Sequence, residues 1–146
     1  AYHVTGEGSN EKAVKVARTF WGSRIDTNRL VLCDGSGLSR KNRISAGHLC
    51  SVLRYMRQTD VFPSFYSSLP IAGVSGTLTN LCKDGAGSGR IHAKSGTMNG
   101  IKSYAGYIES ASGHTIAFAM VANGFTCSRP YVVSKMEVVL NALAER

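Results

Sequence analysis

The chain has 146 residues, 43% of them hydrophobic, and a formal net charge of +8. That length sets one domain or part of one, large enough for a core without covalent staples, and it holds neither an apolar run that could span a membrane nor an N-terminal signal peptide. The positive charge is compatible with nucleic acid, an acidic membrane surface or an anionic cell-wall polymer. But the basic residues from Lys12 to Arg57 are scattered and no nucleic-acid motif accompanies them, so they read as a solvated surface.

Residues 1–8 read as irregular. Ser9 is a good N-cap and Glu11 suits a first turn; Ala13, Val16, Ala17 and Phe20 then recur at helical spacing, which predicts an amphipathic helix from Ser9 to about Trp21, ended by Gly22. Arg29 to Cys33 predicts a short strand, and Asp34 to Arg43 a Gly/Ser loop. Ser45 caps a second predicted helix with Leu49, Val52, Leu53 and Met56 on one face. Pro63 and Pro70 bracket a mostly irregular connection, and the glycines of Lys83–Gly89 predict a flexible turn. Strands follow at about Ile91–Ser95, Ile101–Glu109 and Thr115–Asn123, the last two joined by a hairpin at Ser110–Gly113. Ile116–Ala122 is apolar almost throughout, which predicts a strand buried on both faces. Pro130 opens a final helix with Val133, Met136, Val139, Leu140 and Leu143 inward. The expected class is α+β, with helices flanking an antiparallel sheet.

Chemistry concentrates at Ala93-Lys94-Ser95-Gly96-Thr97-Met98. A lysine, a hydroxyl residue and a glycine at a strand end form a K-[ST]-G pattern. In such a pattern Lys94 would supply a cation for a substrate carboxylate, and Ser95 a hydroxyl for the same group. Gly96 lets a ligand backbone lie close, and the Thr97 amide can face a developing oxyanion. Alone, the pattern is weak and reads as a charged strand end before a turn. It does not stand alone. Asp34-Gly35-Ser36-Gly37-Leu38-Ser39-Arg40 precedes it, then Leu69-Pro70-Ile71-Ala72-Gly73 and Ser75-Gly76-Thr77-Leu78; Ser103-Tyr104-Ala105-Gly106-Tyr107 follows. This series resembles the C-terminal part of the D-alanyl-D-alanine carboxypeptidase/endopeptidase family that includes the class C low-molecular-mass penicillin-binding proteins (peptidase family S13), from about Gly8 to the chain end.

The resemblance implies the C-terminal portion, over residues 1–146, of a β-lactamase/transpeptidase-like fold, with the K-S-G strand at the sheet edge. It implies a serine-type, periplasmic or extracytoplasmic enzyme that hydrolyses peptidoglycan stem peptides through an acyl-enzyme, is acylated by β-lactams and needs no cofactor. Lys94, Ser95, Gly96 and Thr97 are then the expected catalytic elements. Ser36, Leu38, Arg40 and Met98 line the expected subsite for the stem side chain, where Arg40 could pair a carboxylate in bidentate fashion.

The family's S-x-x-K nucleophile pair and its S-x-N motif are not found. Ser9-Asn10-Glu11-Lys12 has the first spacing but reads as a helix cap followed by a solvated stripe, and no S-x-N occurs. The expectation is therefore that an N-terminal portion of the same protein carries them, and that this chain alone is inactive. The alternatives are a non-catalytic domain of the same fold that binds cell-wall peptide, and a basic nucleic-acid-binding module. The histidines read as structural, and Gly85–Gly89 lacks the lysine and helix of a phosphate loop. Cys33, Cys50, Cys82 and Cys127 lack metal-ligand spacing, and their pairing is not set by sequence.

Overall fold

The computed structural model describes all 146 residues, which form two compact units, Ala1–Tyr55 and Met56–Arg146. In the first unit a one-turn helix, α1 (Tyr2–Thr5), stands where an irregular start was expected, closed by Gly6 at φ 73. Helix α2 (Asn10–Gly22) begins as the sequence indicates: Ser9 Oγ accepts the Lys12 amide at 3.3 Å. No residue of α2 is buried, although its apolar stripe is present. Helix α3 (Ala46–Met56) starts at Ser45, whose Oγ accepts the His48 amide at 3.1 Å, and it buries Leu53. Phe20, Trp21 and Tyr55 meet edge to face, and Arg24 lies 3.8 Å over Phe20 while donating to Tyr55 Oη at 2.9 Å, so aromatic and cation–π contacts tie α2 to α3. The strand expected at Arg29–Cys33 is not formed. Arg29 takes φ 64, outside the β region, and only Val31 pairs, with Arg43. One bridge is what remains when no third segment lies beside the pair.

The second unit is built on a three-stranded antiparallel sheet in the order β1 (Ile91–Met98), β2 (Ile101–Glu109), β3 (Thr115–Asn123). Strand β1 runs three residues beyond the predicted end. The two-residue connection Asn99-Gly100, with Gly100 at φ 68, lets Met98 pair with Ile101. Helix α5 (Arg129–Glu145) lies against one face, capped by Ser128, whose Oγ accepts the Tyr131 amide at 3.4 Å. Its Val132, Met136, Leu140 and Ala144 join Ile91, Ala93, Tyr104, Ile108 and Phe118 in the core. Inward residues recur every fourth position, so Val139, predicted inward, is 47% exposed.

The connection between Pro63 and Pro70 is not irregular. Helix α4 (Phe62–Ser67) uses Pro63 in its first turn, where the missing N–H costs nothing. It covers the opposite sheet face at one end. Phe62, Phe65 and Tyr66 surround Tyr107, and Tyr66 stacks on His92 at 4.2 Å and donates to Glu109 at 3.1 Å. The His92 Nδ1 is buried with no partner, and burial lowers this imidazole's pKa. Strand β3 corrects another expectation. Only Phe118 is buried, and Val121 is 43% exposed, because β3 is an edge strand with α5 on one side only.

The glycine-rich turn is not a loose segment either. Asn141 on α5 accepts the Gly87 amide at 2.8 Å, and a Cβ on Gly85 would lie 2.5 Å from the Asn141 amide, so the glycines admit the helix. Gly106 meets the tightest constraint. It faces Ala93 across the β1–β2 pair, and a Cβ there would overlap the His92 carbonyl oxygen and sit 2.5 Å from Ala93 Cα. Both are backbone, so neither can swing aside. Gly106→Ala is therefore expected to destabilise the second unit by about 3 kcal/mol, beyond ordinary overpacking; denaturant unfolding with a midpoint within error of wild type would contradict this close approach.

Candidate active site

The β1 register decides which groups face out. Ala93 donates its amide to Pro70 O at 3.0 Å, and Ile91 O accepts from Ala72 at 2.9 Å, both on the side away from β2. Antiparallel alternation repeats every second residue. The N–H and C=O of Ser95 and Thr97 therefore point to that same outer edge, and beyond Ala93 no backbone group pairs with them. The Thr97 amide thus points outward with no backbone partner.

Side chains follow the other alternation. Lys94, Gly96 and Met98 lie on the face that carries His92. Lys94 is exposed, with its Nζ 2.8 Å from Ser95 O, and Met98 is half-buried at the strand end. Gly96 faces Ser103, and a Cβ on it would come within 2.5 Å of Ser103 Oγ. Glycine here thus clears a neighbouring hydroxyl as well as the strand surface. Ser95 and Thr97 lie on the α5 side. Ser95 Oγ donates to Thr77 Oγ1 at 3.1 Å, in the short 3₁₀ turn Gly76–Leu78. Thr77 and Tyr104 also line a cavity of about 160 Å³ next to this strand end.

Sequence reasoning missed Lys102. It faces Thr97 directly across the β1–β2 pair, is only 9% exposed, donates from Nζ to Thr97 Oγ1 at 3.0 Å and lies 4.6 Å over the Tyr104 ring. Burial, then the positive Arg129 and Lys94, hold its pKa below the usual lysine value. The signal was present: in Lys102, Tyr104, Gly106, Ile108 a charged residue heads the inward-facing row. Thr77 and Arg129 carried no such signal, since only the fold brings them here.

The first unit holds the other candidates. Asp34 organises the loop: its Oδ2 accepts Ser36 Oγ at 2.6 Å and the Ser39 amide at 3.2 Å, and its Oδ1 accepts Asn42 Nδ2 at 2.6 Å. Asn42 Oδ1 in turn accepts the Cys33 amide at 2.7 Å. Ser36 Oγ also accepts the Leu38 amide at 3.2 Å, so Ser36 is a loop-building residue in this structure. Leu38 is 75% exposed, and Arg40 is exposed with no ion pair. All four cysteines are unpaired, no helix is long and apolar enough to cross a membrane, and no three His, Cys, Asp or Glu side chains gather as a metal site.

Comparison with known proteins fits this arrangement. The model of the D-Ala-D-Ala carboxypeptidase 3 (S13) family matches residues 1–143. The chain belongs to the S13 family. A D-alanyl-D-alanine carboxypeptidase of Actinomadura sp. (strain R39) is 37% identical over 125 residues, which cover 82% of this chain and 23% of that protein. DacB of Haemophilus influenzae is 34% identical over 104 residues, 66% of this chain and 20% of that protein. The crystal structure of penicillin binding protein 4 (dacB) from H. influenzae superimposes with a TM-score of 0.79 at 29% identity, covering 93% of this chain and 32% of that one. The chain thus spans about a quarter of the length of the curated S13 relatives it matches, and it has the penicillin-binding α+β fold.

The Asp34 network yields a prediction. Its hydrogen bonds, Ser36 first and then Asn42, lower the Asp34 pKa below the ordinary 3.8. A lowered carboxylate pKa means that the ordering is complete above 3.8 and is lost as pH falls through the folded-state value. Asp34→Asn removes an acceptor at neutral pH and should speed amide exchange at Ser39 and Cys33, as acid below pH 3.8 does in wild type; unchanged exchange in both cases would mean that the loop is held otherwise.

Proposed function

We propose that this chain is the C-terminal portion of a serine-type D-Ala-D-Ala carboxypeptidase or endopeptidase that acts on peptidoglycan stem peptides and is acylated by β-lactams outside the cytoplasm. The observation that carries this reading is the open edge of β1, where Lys94 stands beside the outward N–H groups of Ser95 and Thr97 in a chain of the S13 family. An extended peptide can add to such an edge as a further strand. In this reading a serine from the remainder of the protein attacks the carbonyl carbon of the scissile amide, and its proton passes to a neighbouring lysine. The carbonyl oxygen becomes an oxyanion that accepts the Thr97 N–H, a preorganised donor. The amine of the terminal D-alanine takes a proton and leaves, and water then hydrolyses the ester. In a β-lactam the amine stays tethered to the acyl group. Lys94 holds the ligand carboxylate. The H. influenzae penicillin binding protein 4 has also been crystallised with a β-lactam, which supports β-lactam binding as part of this reading.

The Asp34–Arg40 loop, shaped by Ser36, is proposed to read the stem side chain through Leu38 and Arg40. Two observations support Arg40 as the reader. The loop is braced by Asp34 and Asn42 rather than by Arg40, and the guanidinium has no carboxylate partner. A cell-wall-peptide-binding domain without catalysis is the alternative that the same edge allows.

Two outcomes test this in the full-length protein that carries the chain. Lys94→Ala should slow acylation by a penicillin about ten- to a hundred-fold, the loss of a charged hydrogen bond of about 1.5–3 kcal/mol, with the melting temperature little changed; unaltered acylation kinetics would remove Lys94 from the site. Arg40→Ala should abolish preference for a stem side chain with a free carboxylate over its amide, a difference of about 1–3 kcal/mol in kcat/KM; equal losses on both substrates would leave Arg40 without a recognition role.

A further inference from the structure

Lys102 is nine-tenths buried on the α5 side of the sheet, yet no acid faces it. A buried ammonium without a carboxylate is costly, and natural proteins seldom keep one without a use. Its neighbours are a hydroxyl, an aromatic face and two more cations: Thr97 Oγ1 at 3.0 Å, the Tyr104 ring at 4.6 Å, and Arg129 and Lys94, whose repulsion reaches it. A stability role would favour methionine or leucine at this position, which would fill the same space beside Tyr104 without the charge.

The direction of the hydrogen bonds shows what the lysine does. An ammonium only donates, so Thr97 Oγ1 must accept from it. A hydroxyl has one proton, and with its oxygen engaged by a cation that proton must be given elsewhere. Thr97 is exposed at the open edge, so its proton is available to a ligand there. Ser95 differs: its proton is spent on Thr77. Of the two hydroxyls flanking Gly96, Thr97 is the one that Lys102 turns into an obligate outward donor, backed by positive charge.

We infer that Lys102 is a positioning residue which orients the Thr97 hydroxyl toward a ligand carboxylate at the β1 edge and makes the site selective for ligands with that carboxylate free. The inference rests on the proposed use of this edge and names the anionic group that the edge reads. Arg129 adds to the same positive field from the first turn of α5.

The test compares a penicillin with the methyl ester of its carboxylate, by acylation rate and by competition binding, on the full-length protein. Lys102→Met should lower the carboxylate-over-ester preference about tenfold or more, the size of a lost charge-assisted contact, and Lys102→Arg should restore most of it. Lys102→Gln keeps a donor toward Thr97 and serves as the second variant, with a partial loss of preference expected. A preference unchanged in Lys102→Met, or equal losses on acid and ester that arginine does not rescue, would overturn the positioning role while leaving the proposed function intact. A wild type that discriminates between acid and ester in neither assay would reject both.

Discussion

The site depends on the alternation of hydrogen bonds along β1. Pro70 and Ala72 occupy the outer edge of this strand as far as Ala93, so the first half of β1 is paired on both sides. From Ser95 onward only the inner side is paired. The change from closed to open edge falls at the K-S-G motif, and the register of one strand pair sets it. A slip of one residue would turn Ser95 and Thr97 inward and present Lys94 and Gly96 at the edge instead. The register is in turn fixed by Gly106, where the backbones of β1 and β2 come close enough to exclude any side chain, and by the short Asn99-Gly100 connection. Both glycines lie away from the edge that they position.

The two sheet faces have different tasks. The α5 face is a packed core from Ile91 to Ala144, and at its open end it becomes a polar patch of Ser95, Thr97, Lys102 and Thr77. The other face is closed by aromatic stacking around His92 and Tyr107, then opens into small side chains and Lys94. Lys94 and Lys102 thus reach the strand end from opposite faces. Edge amides, a hydroxyl and two cations are thereby gathered at one strand end.

Much of this was legible in the sequence, for identifiable reasons. Capping at Ser9 and Ser45 is local, and a single hydroxyl satisfies a nearby amide, so those helix starts could be read directly, whereas the last helix was read from Pro130 and its Ser128 cap is shown by the structure. The strands around the K-S-G motif could be read because side-chain alternation is a local rule. What failed depended on neighbours distant in sequence. Arg29–Cys33 has strand composition but no sheet to join. Ile116–Ala122 reads as doubly buried but forms an edge strand. Gly85 and Gly87 look flexible but are the surface on which Asn141 docks. Lys102 was overlooked because a lysine in a strand is usually assigned to solvent, although the even-numbered row it shares with Tyr104 and Ile108 faces inward.

The most direct measurement is residue-resolved amide exchange of β1 in the full-length protein, with and without a bound β-lactam. The Ala93 amide, bonded to Pro70, should be protected in both states, whereas the Thr97 amide should exchange rapidly in the free protein and become protected once the acyl oxygen accepts it. A Thr97 amide that is already protected in the free protein, or one that stays unprotected in the acylated form, would contradict the account of β1 as an open edge that the ligand completes.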